Sequence, residues 1–511
     1  MLKQMKQISP LDSVFLYIEG ENRYTHGTFV WVYDPSTAEG DIDFGDIERH
    51  VESRLDVCDL FRKKLKRYPL DVDYPYWVDD KQFDIERHVI HSPMSGEVDW
   101  QQFCRKVAHI HNHPLSLEHP PWELHYVDGL GGVEGFPNGA FALLLKLHHV
   151  GFDATYAMQV TYGLHDDLPI SAPKVSRPPL PNDEADEVGL FGLARQSVKN
   201  LTSQPMKIVK GVSSMAPKLG LNKSEGSSKQ ASKVPETLFN KRLSRGRVFD
   251  YRTYPIDDIK SIRKLIDGVT VNDIVIAVVS GGIRNYLKSR HALPNESLIT
   301  SCPVNIRGKD EVGSGNKIAA IITPMHTEIA DPVERLRAIN RDMQAGKEGL
   351  IEKGTDPISD IANMIPSLGV AAGGYAMDTL LKYYSGPPLI NFPISNVPGP
   401  AKPQYFAGAH LKQITCAGFL MDGFGLFFTA ISCDGRLAIS MTSATNVVPI
   451  PEELMACITE SYEELLEETQ RVTSNDIGVS TKVSARKVKA KTKKLSTKKV
   501  SAKKTSSKRK R

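Results

Sequence analysis

The sequence has no long hydrophobic run, and this absence excludes a membrane-spanning helix. No apolar stretch approaches the 18 or more residues that a membrane-spanning helix needs. The amino terminus also lacks a basic stretch followed by an apolar segment and a small-residue cleavage site, which would mark a secretory signal. We therefore expect a cytoplasmic protein that does not cross a bilayer.

Patterns typical of metal and phosphate sites are also scarce. The six cysteines lie far apart, without the CxxC spacing of zinc or redox sites, and we predict buried thiols. His109, His111 and His113 alternate as metal ligands on a strand would, but the helical spacing before them and Pro114 favour a helix end. The segment GSGN, residues 313–316, lacks the GK[ST] ending of a phosphate loop. We therefore predict no metal site and no phosphate loop.

Acidic residues are absent from the last thirty residues, and this divides the chain by charge. Residues 482–511 contain fifteen Lys or Arg, so the 64 basic and 60 acidic residues of the whole chain leave 49 and 60 before residue 482. The formal net charge of +4 therefore combines a body of −11 with a strongly basic tail. We expect the tail to be disordered. It could be a solubilising extension, or it could bind anionic lipid or nucleic acid.

The 511 residues suggest two or three domains. We predict a mixed α/β domain over residues 1–170, a Pro- and Ser-rich linker with one amphipathic helix over 171–247, a second α/β domain over 248–470, and a tail over 471–511. Several segments support the two domains. HGTFVWVYD, GAFALLLKLHH, KIAAIITPMHT and LAISMTSA read as strands, DWQQFCRKVAHIHNH and TVNDIVIAVVSGGIRNYL as helices, and VFDYRTYPIDDIKSIRKL as a strand followed by a helix.

One short stretch, KLHHVGFDATYA, places two histidines at the end of an apolar strand with a carboxylate four residues further on. A histidine with a near-neutral pKa can remove a proton from a hydroxyl while the oxygen attacks a carbonyl. His149 stands where the strand gives way to a loop and a helix, so its side chain could project into a cleft. The local pattern alone leaves a polar strand-end residue as the alternative.

Other segments occur in a recognisable order around this motif. They are ISPLDSVFL (8–16), THGTF (25–29), PPWELHYVDGL (120–130), TVNDIVIAVVSGGIRNYL (270–287), CPVNIRG (302–308), GNKIAAIITPMHTEIADPVERL (315–336) and ISNVPGP (394–400). The histidine motif resembles the HHxxxDG signature of the chloramphenicol acetyltransferase superfamily. Together, the segments resemble the bacterial wax ester synthase/acyl-CoA:diacylglycerol acyltransferase family over about residues 7 to 470.

The resemblance implies two chloramphenicol-acetyltransferase-like α/β domains with an active site in a tunnel between them. The implied reaction transfers a fatty acyl group from acyl-CoA, a co-substrate, to diacylglycerol or a long-chain alcohol, with no cofactor and no acyl-enzyme. His149, preceded by His148, would be the general base, and Asp153 would hold the loop by pairing with an arginine, for which Arg307 is our candidate. The hydrophobic substrates favour an anionic membrane or lipid inclusion over nucleic acid as the partner of the tail.

Further residues could support the substrate or the developing oxyanion. Asn272 and Asp273 match the family's ND motif, although Asn or Thr before DIVIAVV, with Asp273 behind it, is also typical of a helix N-cap. Asn396, Pro398 and Gly399 belong to ISNVPGP, in which Pro398 and Gly399 suit the centre of a type II turn with a positive φ at the glycine.

The sequence departs from the family pattern at two positions. Ala154 replaces the last glycine of the histidine motif, which costs little if the backbone there is helical, and Pro121 replaces the leucine of the usual PLWE segment. Two alternative functions are kept beside this one: a condensation-type acyltransferase with another donor or acceptor, and a non-catalytic protein of lipid surfaces in which Ala154 would mark lost activity. The preference between acceptors and the acyl chain length depend on the dimensions of the tunnel.

Overall fold

The computed structural model describes residues 6–67, 73–170, 234–305, 318–353, 388 and 390–471. The predicted linker helix and the basic tail lie outside these ranges. Helices and strands alternate in a mixed α/β order. The elements are β1 (Lys6–Gln7), α1 (Pro10–Tyr17), β2 (His26–Asp34), α2 (Phe44–Glu52), β3 (Lys63–Lys66), β4 (Tyr76–Asp79), β5 (Val89–His91), α3 (Trp100–His111), β6 (Trp122–Val127), β7 (Phe141–His148), α4 (Ala154–Leu164), β8 (Arg247–Pro255), α5 (Ile256–Ile262), α6 (Val271–Ser289), β9 (Ile299–Asn305), β10 (Ile318–Pro324), α7 (Pro332–Lys353), β11 (Phe392–Val397), β12 (Tyr405–Phe406), β13 (Ala409–Ala417), β14 (Leu426–Cys433), β15 (Arg436–Ala444) and α8 (451–471).

Within the described residues, two six-stranded sheets form the framework. The first has the order β12-β13-β2-β7-β6-β5, and the second has the order β10-β9-β11-β14-β15-β8. A small third sheet joins β1, β4 and β3. These sheets and the helices around them confirm the predicted α/β class.

The first sheet draws strands from both halves of the chain. β2 pairs antiparallel with β7, whereas its other edge pairs antiparallel with β13, which lies almost 400 residues later. β12 then extends the sheet beyond β13. The domain boundaries predicted from the sequence remain a prediction, but the first sheet crosses them.

The strongest sequence patterns agree with the observed elements. All eight residues of β7 are buried, as expected for a nearly continuous apolar run in a central strand. The predicted strands β2, β10 and β15, the helices α3 and α6, and the succession of β8 and α5 are also confirmed. α3 begins with a capping box formed by Asp99 and Gln102, which satisfies the backbone amides at its start.

α3 lies where the two sheets meet. It packs against β2 and β13 of the first sheet and against β8 of the second. The indole Nε1 of Trp100 donates to Oδ1 of Asp250 at 2.8 Å, and Val107 shares a buried apolar cluster with Val30 and Tyr251. Side chains from both sheets therefore form one continuous core at this junction. Among the described helices, none combines the length and hydropathy needed to span a membrane.

Candidate active site

The histidine motif forms the turn that follows β7. The strand ends at His148, whose amide donates to the carbonyl of Pro121 at 3.2 Å. The amide of His149 donates to the carbonyl of Thr25 at 2.9 Å, and the amide of Gly151 donates to the carbonyl of His148 at 3.1 Å. Hydrogen bonds from the preceding and neighbouring segments therefore fix the backbone on either side of both imidazole rings.

The ring of His149 lies between aromatic side chains from the two halves of the chain. Phe15 of α1 stacks on it at a centroid distance of 5.1 Å, and Phe419, just after β13, meets it edge-on at 5.1 Å. Burial and the neighbouring His148 lower the pKa of His149 to about 4, although a hydrogen bond to the Phe152 backbone opposes the shift. At neutral pH the ring is therefore uncharged and can accept a proton.

His148 is buried and faces a carboxylate. Its Nδ1 accepts the amide of Val150 at 3.0 Å, so the proton of the neutral ring resides on Nε2. Nε2 lies 3.2 Å from Oε1 of Glu19. Burial opposes the charged form of Glu19, but His148 and the hydrogen bonds from Thr25 outweigh it and hold the pKa of this carboxyl below its usual value. The first motif histidine is thus held by an anion rather than aimed at open space.

Asp153 starts the helix that follows the motif. It is buried, it is the N-cap of α4, and its Oδ1 accepts the amide of Tyr156 at 2.8 Å. This contact holds the loop at its far end, while the ion pair predicted with Arg307 involves a residue outside the described ranges. Ala154 is the first residue of α4, so the backbone at this departure from the motif is helical and tolerates a Cβ.

The ND segment begins α6. Thr270 is the N-cap and forms a capping box with Asp273, which confirms the helix-cap interpretation for these residues. Oδ2 of Asp273 accepts the amide of Thr270 at 2.8 Å and the side-chain amide of Asn340 at 2.9 Å. The carboxylate of Asp273 therefore stabilises the helix start. Asn272 is the second residue of α6 and is half-buried, and its role at the oxyanion remains a prediction.

The prediction of a type II turn in SNVPGP is wrong. Asn396 lies in β11, paired with Ala430 of β14, and Pro398 is exposed beyond the strand. Gly399 has no positive φ. Instead, a Cβ at Gly399 would lie 1.8 Å from the backbone carbonyl oxygen of Ser432. The glycine is required because two backbone segments approach too closely for any side chain, not because of a left-handed conformation.

The alternating histidines belong to a helix end, as predicted. α3 ends at His111, and the ring of His113 hydrogen-bonds the carbonyl of His109 at 2.7 Å. His111 points inward, where its Nδ1 lies 2.8 Å from the hydroxyl of Thr28. The six cysteines are free thiols, of which five are buried and Cys457 is half-buried.

The residues that surround the motif were not predicted from the sequence. Phe15, Glu19, Thr25 and Phe419 contact the two histidines or their backbone. Phe15 and Thr25 fall inside two of the family-like segments, which was the only local signal for them. Glu19 and Phe419 lie in loops, where no periodicity or spacing connects them with residues 148–149.

The two six-stranded sheets, with an HHxxxD motif where the two halves of the chain meet, agree with the chloramphenicol-acetyltransferase-like fold that the sequence resemblance implies. Residues 8–275 match the model of the wax ester synthase/diacylglycerol acyltransferase catalytic domain, and residues 314–466 match the C-terminal domain of the same family. The chain therefore belongs to the wax ester synthase/diacylglycerol acyltransferase family and is an acyltransferase.

Individual relatives agree with this assignment. A protein of Mycobacterium tuberculosis (strain ATCC 25618 / H37Rv) named as a diacylglycerol O-acyltransferase is 26% identical over 475 residues, which cover 90% of this chain and 97% of the relative. The solved wax ester synthase/diacylglycerol acyltransferase from Marinobacter aquaeolei VT8 has a similar fold, with a TM-score of 0.66 at 22% identity, covering 91% of this chain and 100% of that one. The first condensation domain of the CDA synthetase is a more distant match, with a TM-score of 0.52 at 12% identity, covering 91% and 96%.

Proposed function

We propose that the protein transfers a long-chain fatty acyl group from acyl-CoA to diacylglycerol or to a long-chain fatty alcohol. The products are triacylglycerol or wax ester, together with free coenzyme A. Membership of a family named for both activities supports the two acceptors, and the similarity to a named diacylglycerol O-acyltransferase favours the first.

One observation carries the mechanism: an uncharged imidazole, His149, is held between Phe15 and Phe419 at the junction of the two halves. In the proposed reaction His149 removes the hydroxyl proton of the acceptor as its oxygen attacks the thioester carbonyl. The carbon–sulfur bond breaks, and the proton passes to the departing thiolate. The acyl group moves directly to the acceptor, without an acyl-enzyme.

The neighbouring residues would support this step without exchanging protons themselves. Asp153 fixes the end of the loop through the cap of α4, and His148 anchors the strand end. The aromatic rings beside His149 would limit the access of water, which competes with the acceptor for the thioester. Asn272 is the candidate for a hydrogen bond to the oxyanion, and a well-placed donor of this kind contributes about 3 kcal/mol.

Coenzyme A release provides the test. Purified protein is given palmitoyl-CoA with hexadecanol or with dioleoylglycerol, and both thiol release and ester product are measured. We expect acceptor-dependent ester formation that His149→Ala abolishes. His109→Ala, at an exposed position on α3, is the matched control and should retain wild-type activity. No ester with either acceptor from folded wild-type protein would contradict the proposal and favour another acceptor class or a non-catalytic role.

We also propose that the basic tail, residues 482–511, holds the enzyme at the anionic cytoplasmic face of the membrane or on lipid inclusions. Each Lys or Arg near anionic lipid contributes about 1 kcal/mol at low screening. A variant that ends at residue 471 should lose binding to vesicles containing phosphatidylserine but keep its activity on detergent-dispersed substrate. Equal binding of the truncated and full-length chains would contradict this proposal.

A further inference from the structure

A short loop between α1 and β2, residues 18–25, contacts both motif histidines. Its last residue, Thr25, accepts the amide of His149 with its carbonyl at 2.9 Å. The hydroxyl of Thr25 donates to the carbonyl of Phe15 at 2.6 Å, and Phe15 stacks on the ring of His149. The amide of Thr25 donates to Oε1 of Glu19 at 2.7 Å. Thr25 therefore ties the backbone of His149 to the aromatic ring that covers it.

The same carboxylate oxygen reaches the first motif histidine. Oε1 of Glu19 lies 3.2 Å from Nε2 of His148, 2.7 Å from the amide of Thr25 and 3.3 Å from its hydroxyl. Because Nδ1 of His148 already accepts the amide of Val150, Nε2 carries the proton and needs an acceptor. A single oxygen atom thus accepts the amide of Thr25 and lies close to the ring of His148, which belongs to a different segment.

The loop is also attached to the C-terminal half of the chain. Arg23 forms an ion pair with Asp422 at 2.7 Å, and both side chains are largely buried. The other oxygen of Asp422 accepts the amide of Leu243 at 2.8 Å. Asp422 lies in the loop between β13 and β14 that also carries Phe419, so the segment that holds His149 is joined to the segment that supplies its second aromatic neighbour.

We propose that Glu19 is a positioning residue for acyl transfer, an inference that rests on the proposed function. Its Oε1 faces the protonated Nε2 of His148 and holds the amide of Thr25, and Thr25 in turn fixes the backbone of His149 and the ring of Phe15. The carboxylate touches no reacting atom. It aligns the imidazole of His149 toward the position that the acceptor hydroxyl would take.

Three substitutions at one position test the inference in the coenzyme A release assay. Glu19→Ala removes Oε1 and should lower kcat about 10- to 100-fold, the loss typical of a misplaced catalytic group, with KM for palmitoyl-CoA changed by less than about threefold. Glu19→Gln keeps an acceptor oxygen in place and should restore kcat to within about fivefold of wild type. Glu21→Ala removes an exposed carboxylate from the same loop and is the matched control.

A second pair keeps the test valid if Glu19→Ala fails to fold. Thr25→Val removes the hydroxyl at nearly constant volume and should lower kcat, whereas Thr25→Ser should restore it. Wild-type kcat in a folded Glu19→Ala variant, or equal losses in the Gln and Ala variants accompanied by a raised KM, would overturn the inference. Inactivity of the wild type would instead refute the proposed function and this inference with it. If the wild type is active and His149→Ala is inactive, the proposed function stands, and the Glu19 and Thr25 variants then test the positioning role alone.

Discussion

Acidification to about pH 5.5 should leave acyl transfer almost unchanged, because the pKa of His149 is lowered to about 4. A base at the ordinary value of 6.5 would be only about one-tenth deprotonated at that pH, whereas a pKa of about 4 leaves about 97% of the enzyme in the basic form. The two cases differ about tenfold in expected kcat/KM. The physical cause is burial, since enclosure by Phe15 and Phe419 disfavours the imidazolium.

The assay measures initial coenzyme A release at low palmitoyl-CoA between about pH 4.5 and 8, so that the profile reports the free enzyme. Stability needs a separate control. Burial also lowers the pKa values of His50 and His111 to about 3, so the unfolded chain takes up more protons than the folded chain below pH 6.5. The free energy of unfolding therefore falls on acidification. Samples held at low pH and returned to pH 7.5 must recover full activity.

A half-maximal rate near pH 6.5 in protein that recovers fully would refute this reasoning. It would mean that the His149 ring is exposed to water in the working enzyme, or that another group with an ordinary histidine pKa limits the reaction. His149→Ala with added imidazole distinguishes the two explanations. If the imidazole-dependent rate of this variant follows the pKa of free imidazole, the fall in the wild-type rate at low pH is assigned to His149.

Three further predictions concern the backbone around the site. Gly399→Ala should destabilise the fold by about 3 kcal/mol or more in denaturant unfolding, because its Cβ would meet the carbonyl oxygen of Ser432, whereas Gly40→Ala, with no atom within 4 Å, should change stability little. Asp153→Ala should cost about 1 to 2 kcal/mol through loss of the helix cap, and Asp153→Asn should recover most of this; equal unfolding midpoints for the two variants would contradict the capping role. Ala154→Gly should not raise kcat, because the position is helical, and a clear gain would show that the motif glycine serves the substrate.

Local patterns in the sequence were sufficient for several elements and for the motif itself. The apolar run of β7 and the spacing of α3 and α6 depend on neighbouring residues, so periodicity revealed them. The motif turn was also local, since Asp153 caps a helix that begins one residue later. These features required no knowledge of distant contacts.

Features that depend on distant segments could not be read in this way. The contact between Gly399 and Ser432 joins different strands, and a glycine next to proline suggested a turn instead. Glu19 contacts His148 at a sequence separation that no local pattern reveals. The role of Arg307 stays a prediction.

The insertion of β13 beside β2 also affects how the protein is made. Until the ribosome has synthesised residue 417, the edge of β2 that later pairs with β13 has unpaired backbone amides and carbonyls. The first sheet is therefore incomplete for most of translation, and its unpaired strand edge makes the nascent chain prone to aggregation. Its closure requires a contact of very high sequence separation, which slows folding. We therefore expect the two halves to fold as one cooperative unit, and a polypeptide that stops before residue 400 should depend on chaperones to remain soluble.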